Sequence, residues 1–344
     1  MNVKIAFITD AWHPQINGVV TTIDNTCNTL KAQGAEILLI TPDQFNTIPC
    51  PSYPSIKLSL FCYPKVKRLL KAFAPQHIHI ATEGPLGLAA RKYCLKNKLA
   101  FTTSFHTLFA EYVNLRFKIP LSWGYRALSW FHQPAKQIMV ATPQVERDLA
   151  GWGFTQEKFV RWSRGVDIER FKPGNKHFLD YPRPISMYVG RVAIEKNIEA
   201  FLNLTIPGTK VVVGDGPQLK ELRDKFPEVI FTGFKIGQEL ADYMAAADVF
   251  VFPSKTDTFG IVMLDALASG VPVAAYPVQG PMDVLIDNHT GCLREDLEVA
   301  FYDALNLNSH HCREQALNYS WQNCSKQFLN NLVPIKELTI PLSS

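Results

Sequence analysis

Short runs of apolar residues recur along the chain. Each is followed by a stretch whose apolar positions fall at helical spacing. In the first half the runs are 3–9, 36–41, 77–81, 100–104 and 138–141; in the second half they are 185–189, 210–214, 229–232, 248–252 and 271–275. Runs that are apolar throughout suit strands buried on both faces of a parallel sheet. Helical patterns such as 19–33 and 219–225 lie between them. This alternation predicts an α/β fold of doubly wound sheets. The pattern restarts near residue 185, which predicts two Rossmann-like domains facing each other across an interdomain cleft.

The first domain is expected over residues 1–165 and the second over 185–320. A linker over 166–184 is inferred from the segment RGVDIERFKPGNKHFLDYPRP (164–184), rich in Pro, Gly and charge. A closing helix over 321–332, within a last segment 321–344, is expected to pack back towards the first domain. The length of 344 residues suits two domains, and 47% hydrophobic residues exclude disorder as the main state. No stretch is long and apolar enough to span a bilayer, and the N-terminus reads as a first strand rather than a signal peptide. Seven cysteines form no CxxC pair. They read as reduced thiols of a cytoplasmic protein and argue against zinc.

Charge adds a second asymmetry. Residues 1–170 hold 20 Lys+Arg against 11 Asp+Glu, and residues 171–344 hold 15 against 20. The first domain is therefore net basic (+9), the second net acidic (−5), and an anionic partner is expected for the first.

In parallel sheets, ligands bind beyond the carboxyl ends of strands, so motifs that follow a strand carry the chemistry. Gly18, in DAWHPQINGVV (10–20), precedes a helix whose free N–H groups suit a phosphate; a simple βα turn explains it equally well. Arg191 and Lys196, in GRVAIEKN (190–197), pair two cations with backbone donors, as a diphosphate needs, though a solvated turn is as good a reading. Gly214, in VGDGP (213–217), is weaker, and a tight turn is the simpler account. Asp257 and Thr258 read as N-cap candidates for a helix that carries Asp265 two turns inside and stops at Gly270. Cap and tethering charge are the simpler roles for the two acids. His106 follows the strand 100–104 and could serve as acid, base or hydroxyl partner, against the ordinary expectation of a structural histidine. His77 and His79 alternate with Ile78 and Ile80 and read as structural.

Seven pieces in order carry a family resemblance: NGVVTTI (17–23), SFHTLF (104–109), RGVDIERFKP (164–173), GRVAIEKN (190–197), VVGDGP (212–217), FTGF (231–234) and SKTDTFGIVMLDALASGVPV (254–273). Together they resemble the retaining GT-B glycosyltransferases of family 4, over almost the whole chain. The nearest branch looks like the lipid-directed α-mannosyltransferases and the sulfoquinovosyl- and glucosyl-transferases. The resemblance implies that Arg191 and Lys196 hold the diphosphate of a nucleotide-sugar donor and that Gly18 lies in a loop closing over it. It places Asp257 against the donor sugar and Asp265 against the ribose. Phe259 and Gly260 would supply backbone between them, and Gly214 is counted with the donor-binding residues. His106 would stand near sugar and acceptor.

The chain departs from the family at both acids, which are Asp where the family's motif has Glu. Asp is shorter by one carbon–carbon bond, about 1.5 Å. Either the loop sits closer, or donor choice differs, or activity is lower.

The resemblance implies transfer of a hexose with retention, through an oxocarbenium-like state and front-face displacement. Domain closure would exclude water from the donor. No Asp-x-Asp occurs, so no metal and no other cofactor is expected. Mannose from GDP-mannose is favoured, with glucose from a UDP donor as the alternative. Other readings are an epimerase on the same fold and a non-catalytic nucleotide-sugar-binding protein.

Two stretches, 63–73 and 115–131, interleave Lys and Arg with Leu, Phe, Tyr and Trp. That mixture suits an anionic membrane surface, so the protein is expected to be peripheral at the inner membrane face, with a lipid or lipid-linked glycan acceptor. An amphipathic helix with core aromatics is the rival account. No nucleic-acid module is recognisable.

Overall fold

The computed structural model describes residues 3–15, 17–50, 53–106, 109–257 and 259–335; of 53–55, 112 and 115–117 it describes the backbone alone. The chain divides into two compact units, Met1–Ser163 with Cys324–Ser344, and Arg164–Asn323.

Unit 1 contains strands β1 (Lys4–Ile8), β2 (Glu36–Ile40), β3 (Thr47–Cys50), β4 (Tyr53–Ser59), β5 (His77–Ile80), β6 (Thr102–Phe105), β7 (Gln137–Val140) and β8 (Phe159–Arg161). Its helices are α1 (Gly18–Ala32), α2 (Tyr63–Phe73), α3 (Pro85–Lys96), α4 (Phe109–Phe117), α5 (Leu121–His132) and α6 (Pro143–Gly151). Six strands form one parallel sheet in the order β2-β1-β5-β6-β7-β8. The chain runs outward from β1 to β2, then returns to β5 on the other side of β1. The β1/β5 boundary is thus a topological switch point, where the two flanking loops open a crevice. The antiparallel pair β3–β4 stands apart from this sheet.

Unit 2 repeats the plan with β9 (Ile185–Val189), β10 (Thr209–Val213), β11 (Ile230–Gly233), β12 (Val249–Phe252), β13 (Val273–Ala275) and β14 (Gly291–Leu293). Its helices are α7 (Ile198–Leu202), α8 (Leu219–Lys225), α9 (Gly237–Ala246), α10 (Ile261–Ala268), α11 (Gln279–Val284), α12 (Leu297–Leu305) and α13 (Ser309–Leu317). The sheet order β11-β10-β9-β12-β13-β14 puts its switch point between β9 and β12. All five residues of β9 and all four of β12 are buried, which explains why these runs carry no polar alternation. Burial of each large apolar side chain contributes roughly 1.5–3 kcal/mol relative to exposure.

The segment expected as a linker is built into unit 2. Val166, Phe171 and Leu179 are buried, and the Arg313 guanidinium on α13 donates to the carbonyls of Ile168, Phe171 and Ala268. Its composition is poor in periodic apolar sequence because it is held by backbone hydrogen bonds and isolated anchors. The closing helix, α14 (Trp321–Asn330), straddles the division of the chain. Its Phe328 ring stacks on Phe7 of β1 at 5.0 Å and leans on Trp162 at 4.8 Å, within unit 1. All seven cysteines are free thiols.

Candidate active site

In unit 2 the loop after β9 and the loop after β12 are joined by three contacts. Asn197 Nδ2 donates to the Pro253 carbonyl at 3.0 Å, and Thr256 Oγ1 donates to the Glu195 carbonyl at 3.2 Å. Lys196 Nζ meets Asp257 Oδ1 at 2.5 Å. Lys196 and Asp257 are 27% and 16% exposed, so the pair faces a partly dry space. Asp257 Oδ2 is buried and accepts no hydrogen bond among the described residues. Arg191 sits on the same loop with its side chain exposed, and its carbonyl accepts from Tyr188 Oη at 2.8 Å.

Asp257 therefore does not cap a helix, as the sequence suggested. Its carboxylate is spent on a cation 61 residues earlier. Helix α10 begins four residues after Asp257, at Ile261, and Gly260 holds the capping position at φ +77° with no side-chain cap. A Cβ at Gly260 would lie 2.9 Å from the Phe252 ring, so only glycine permits this entry. Thr258, the other cap candidate, lies outside the described residues. Phe259 is buried, its ring 6.5 Å from that of Tyr319. Gly270 closes α10 at φ +72°, its N–H donating to the Leu267 carbonyl.

Asp265 is the fifth residue of α10, one turn in rather than two. It is not brought to Lys196 and Asp257 by any contact among the described residues. Its neighbours in charge are Asp167 and Arg170, themselves paired at 3.4 Å. Burial, with Asp167 adding and Arg170 opposing, pushes the Asp265 carboxyl up to about 7.

Gly214 has a structural reason of its own. At φ +151° its α-carbon faces the Gly190 carbonyl, and a Cβ there would stand 1.9 Å from that oxygen. A Cβ on Gly216 would stand 2.2 Å from the Val192 carbonyl. The two glycine turns pack backbone on backbone, with Val192 N–H donating to the Asp215 carbonyl at 2.9 Å. The VGDGP turn thus shapes the loop that bears Arg191 and Lys196.

In unit 1, Gly18 is the first residue of α1. The free N–H groups expected there are largely taken, because Asn17 Oδ1 accepts from both Val19 and Val20 at 3.0 Å. His106 follows β6, is 8% exposed and lies edge-on to Trp162 at 5.5 Å. His79 is the structural histidine expected: its ring nitrogens meet Thr102 Oγ1 and Ser104 Oγ, and burial pushes it down to about 3. His77 Nδ1 meets the Val333 carbonyl at 2.8 Å.

Sequence reading did not assign Asp10. Its two carboxylate oxygens accept from the backbone N–H groups of Leu86 and Gly87 and from Thr82 Oγ1, so it caps α3 from across the β1/β5 switch point. Gly84, at the N-cap, leaves the space: a Cβ there would meet the Asp10 carboxyl carbon at 2.4 Å. Burial raises the Asp10 carboxyl to about 6. The Gly-Pro pair at 84–85 after a strand was the available signal, since a glycine cap needs its oxygen from elsewhere.

The basic, aromatic stretches divide between the two accounts given above. On α5, Tyr125, Leu128 and Phe131 are buried, while Trp123 and Trp130 are 69% and 57% exposed. The Trp130 ring receives the Arg91 guanidinium at 3.9 Å. On α2, Val66 and Leu70 are buried and Lys67, Arg68 and Lys71 are exposed. The side chains of Tyr112, Leu115, Arg116 and Phe117 lie outside the description. Among the described residues, no helix is long and apolar enough to cross a membrane.

Two doubly wound units, each with its polar loops gathered at a switch point, are the α/β architecture of the GT-B class. The family model described as Glycosyltransferase Family 4 matches residues 16–170, and that for Glycosyl transferases group 1 matches 183–307. The chain belongs to family 4 and is a hexosyltransferase. It is 29% identical, over 323 residues, to a GDP-mannose-dependent alpha-mannosyltransferase of Mycobacterium tuberculosis, covering 85% of this chain and 83% of that one. It is 28% identical to an alpha-monoglucosyldiacylglycerol synthase of Streptococcus pneumoniae, covering 94% and 84%. Among solved structures it resembles sucrose-phosphate synthase from Thermosynechococcus elongatus, with a TM-score of 0.79, 22% identity and coverage of 95% and 97%, a likeness of fold.

Proposed function

We propose that this enzyme transfers a hexose, with retention and without a metal, from a nucleoside diphosphate donor to a lipid or lipid-linked acceptor. Mannose from GDP-mannose is the donor favoured. The observation that carries the reading is the Lys196–Asp257 pair at the unit 2 switch point, a cation and a half-satisfied acid beside an uncapped helix start. Lys196, Arg191 and the N–H groups at the start of α10 stabilise the charge that grows on the leaving diphosphate. Asp257 addresses the donor sugar, Asp265 the ribose hydroxyls, and the backbone of Phe259 and Gly260 lies between. Gly18 and His106 act from unit 1, His106 beside sugar and acceptor. The absence of an Asp-x-Asp motif from the sequence supports metal independence.

The mannosyltransferase and glucosyldiacylglycerol synthase likenesses support a nucleotide-sugar donor and a lipid-like acceptor. The second also supports glucose as the alternative hexose, for which a UDP donor is the alternative proposed. Exposed Trp123 and Trp130 and the cations of α2 support docking on an anionic membrane at its cytoplasmic face.

Thermal-shift and calorimetric titration with GDP, UDP and ADP, on wild type and Lys196→Ala, with and without EDTA, tests the reading. Stabilisation by one nucleotide, lost in the variant and indifferent to EDTA, is expected. No stabilisation by any of the three overturns it.

A further inference from the structure

The same topological rule that locates polar loops in unit 2 applies to unit 1. Its switch point lies between β1 and β5, so the loops after those strands line the crevice. They carry two acids, Asp10 and Glu83. Asp10 is committed to capping α3. Glu83 is 27% exposed and is held from behind by His132, whose Nε2 meets Glu83 Oε1 at 3.1 Å. His132 itself is fully buried, packed among Phe105, Phe131 and Phe154, and its Nδ1 meets Thr103 Oγ1 at 2.9 Å.

One neutral tautomer satisfies the whole chain: Thr103 donates to Nδ1, and Nε2–H donates to Glu83. The geometry is that of a nucleophile, a base and an acid, yet Thr103 is fully buried on β6 and no substrate reaches it. The output of the relay is therefore at the other end, a carboxylate of fixed orientation. Glu83 Oε2 accepts no hydrogen bond among the described residues. Placement agrees: β5 and β6 are parallel neighbours with Ile80 paired to Thr103, so the segments that carry Glu83 and His106 leave the same end of adjacent strands.

We propose that Glu83 binds the acceptor: its carboxylate takes a hydrogen bond from the hydroxyl-bearing group of the acceptor, and His132 is the positioning residue behind it. The inference rests on the hexosyl-transfer reading above. A carboxylate presented by a buried partner favours polyol donors of hydrogen bonds, which a glycerol headgroup and a sugar both supply.

The test uses the full chain and Glu83→Gln, which keeps an oxygen for His132 but removes the charge. Transfer from GDP-mannose and UDP-glucose is measured to diacylglycerol in mixed micelles and, separately, to a methyl hexoside. Donor hydrolysis without acceptor and the melting temperature are read alongside. The expected result is a fall of at least tenfold in the ratio of transfer to hydrolysis, seen as a raised acceptor KM, with the melting temperature held. The arm that shows it identifies the source of the hydroxyl. Thr103→Val, isosteric and remote from solvent, is expected to weaken transfer in the same sense by freeing the His132 tautomer. An unchanged ratio in Glu83→Gln overturns the assignment and leaves hexosyl transfer standing. A wild type that binds no nucleotide and neither transfers nor hydrolyses overturns the transfer reading and the acceptor role with it.

Discussion

The ion pair at the unit 2 switch point makes a prediction in which its two partners act with opposite sign. Lys196 and Asp257 neutralise each other at 2.5 Å. Unit charges about 4 Å apart attract by about 4 kcal/mol at an effective dielectric constant near 20. Both groups are about one-quarter exposed or less, so desolvation and partial solvent access reduce the net value to about 1–2 kcal/mol. A diphosphate must share or take Lys196 and must approach the Asp257 carboxylate. Asp257→Asn removes the competitor and a like charge together. It should tighten nucleoside diphosphate binding by roughly 5- to 30-fold, the equivalent of that 1–2 kcal/mol. Lys196→Ala should loosen binding by roughly 10- to 100-fold, the loss of one charge-assisted contact. Hexose transfer should fall in both.

Calorimetric titration of the cognate nucleotide into wild type and both variants, at low and high salt, reads this directly. The gain in Asp257→Asn should shrink as salt screens the charges. Weaker nucleotide binding in Asp257→Asn, parallel to Lys196→Ala, would refute the reasoning and make the pair a structural strut.

Three further predictions follow from other parts of the fold. Asp265, raised to about 7 by burial, holds in the native state a proton that an ordinary carboxyl releases near 3.8; its protonated form therefore favours folding fully below about pH 4, and that contribution is lost as pH rises through 7. Hydrogen bonds from a ribose diol favour the ionised form, so nucleotide affinity should rise between pH 6 and 8 with proton release, and Asp265→Asn should flatten both, read by calorimetry in buffers of different ionisation enthalpy. Gly214→Ala places a Cβ 1.9 Å from the Gly190 carbonyl at φ +151° and should cost about 3 kcal/mol or more, whereas Gly153→Ala, at φ +84° with open space around it, should cost about 1 kcal/mol; thermal melting separates them. Asp10→Ala leaves the Leu86 and Gly87 N–H groups uncapped and should lower stability by about 1–2 kcal/mol, with amide exchange faster in the first turn of α3.

The strands legible in the sequence were those buried on both faces. The runs at 185–189 and 248–252 lack polar alternation because helices cover both sides of the sheet, and the structure returns them within a residue as β9 and β12. The pair β3–β4 escaped because Thr47–Cys50 and Tyr53–Ser59 mix polarity and carry prolines, and it pairs only with itself. Strands β8 and β14, three residues each, are too short for any period to register.

Site positions were legible for a related reason, because a polar residue directly after a buried strand lies near a switch point whatever its task. What each polar atom is spent on was not legible. Asn17, beside Gly18, consumes the N–H groups of Val19 and Val20. Asp257 looked like a cap for the helix that follows it and instead meets a lysine 61 residues away. Asp10, directly after the first strand, caps a helix that starts 75 residues later, through backbone groups that no side-chain pattern records. For Asp257 and Asp10 hydrogen-bonding capacity is satisfied across the sheet rather than along the chain. Only an oxygen left over after that accounting, such as Oδ2 of Asp257 or Oε2 of Glu83, is a candidate to touch substrate.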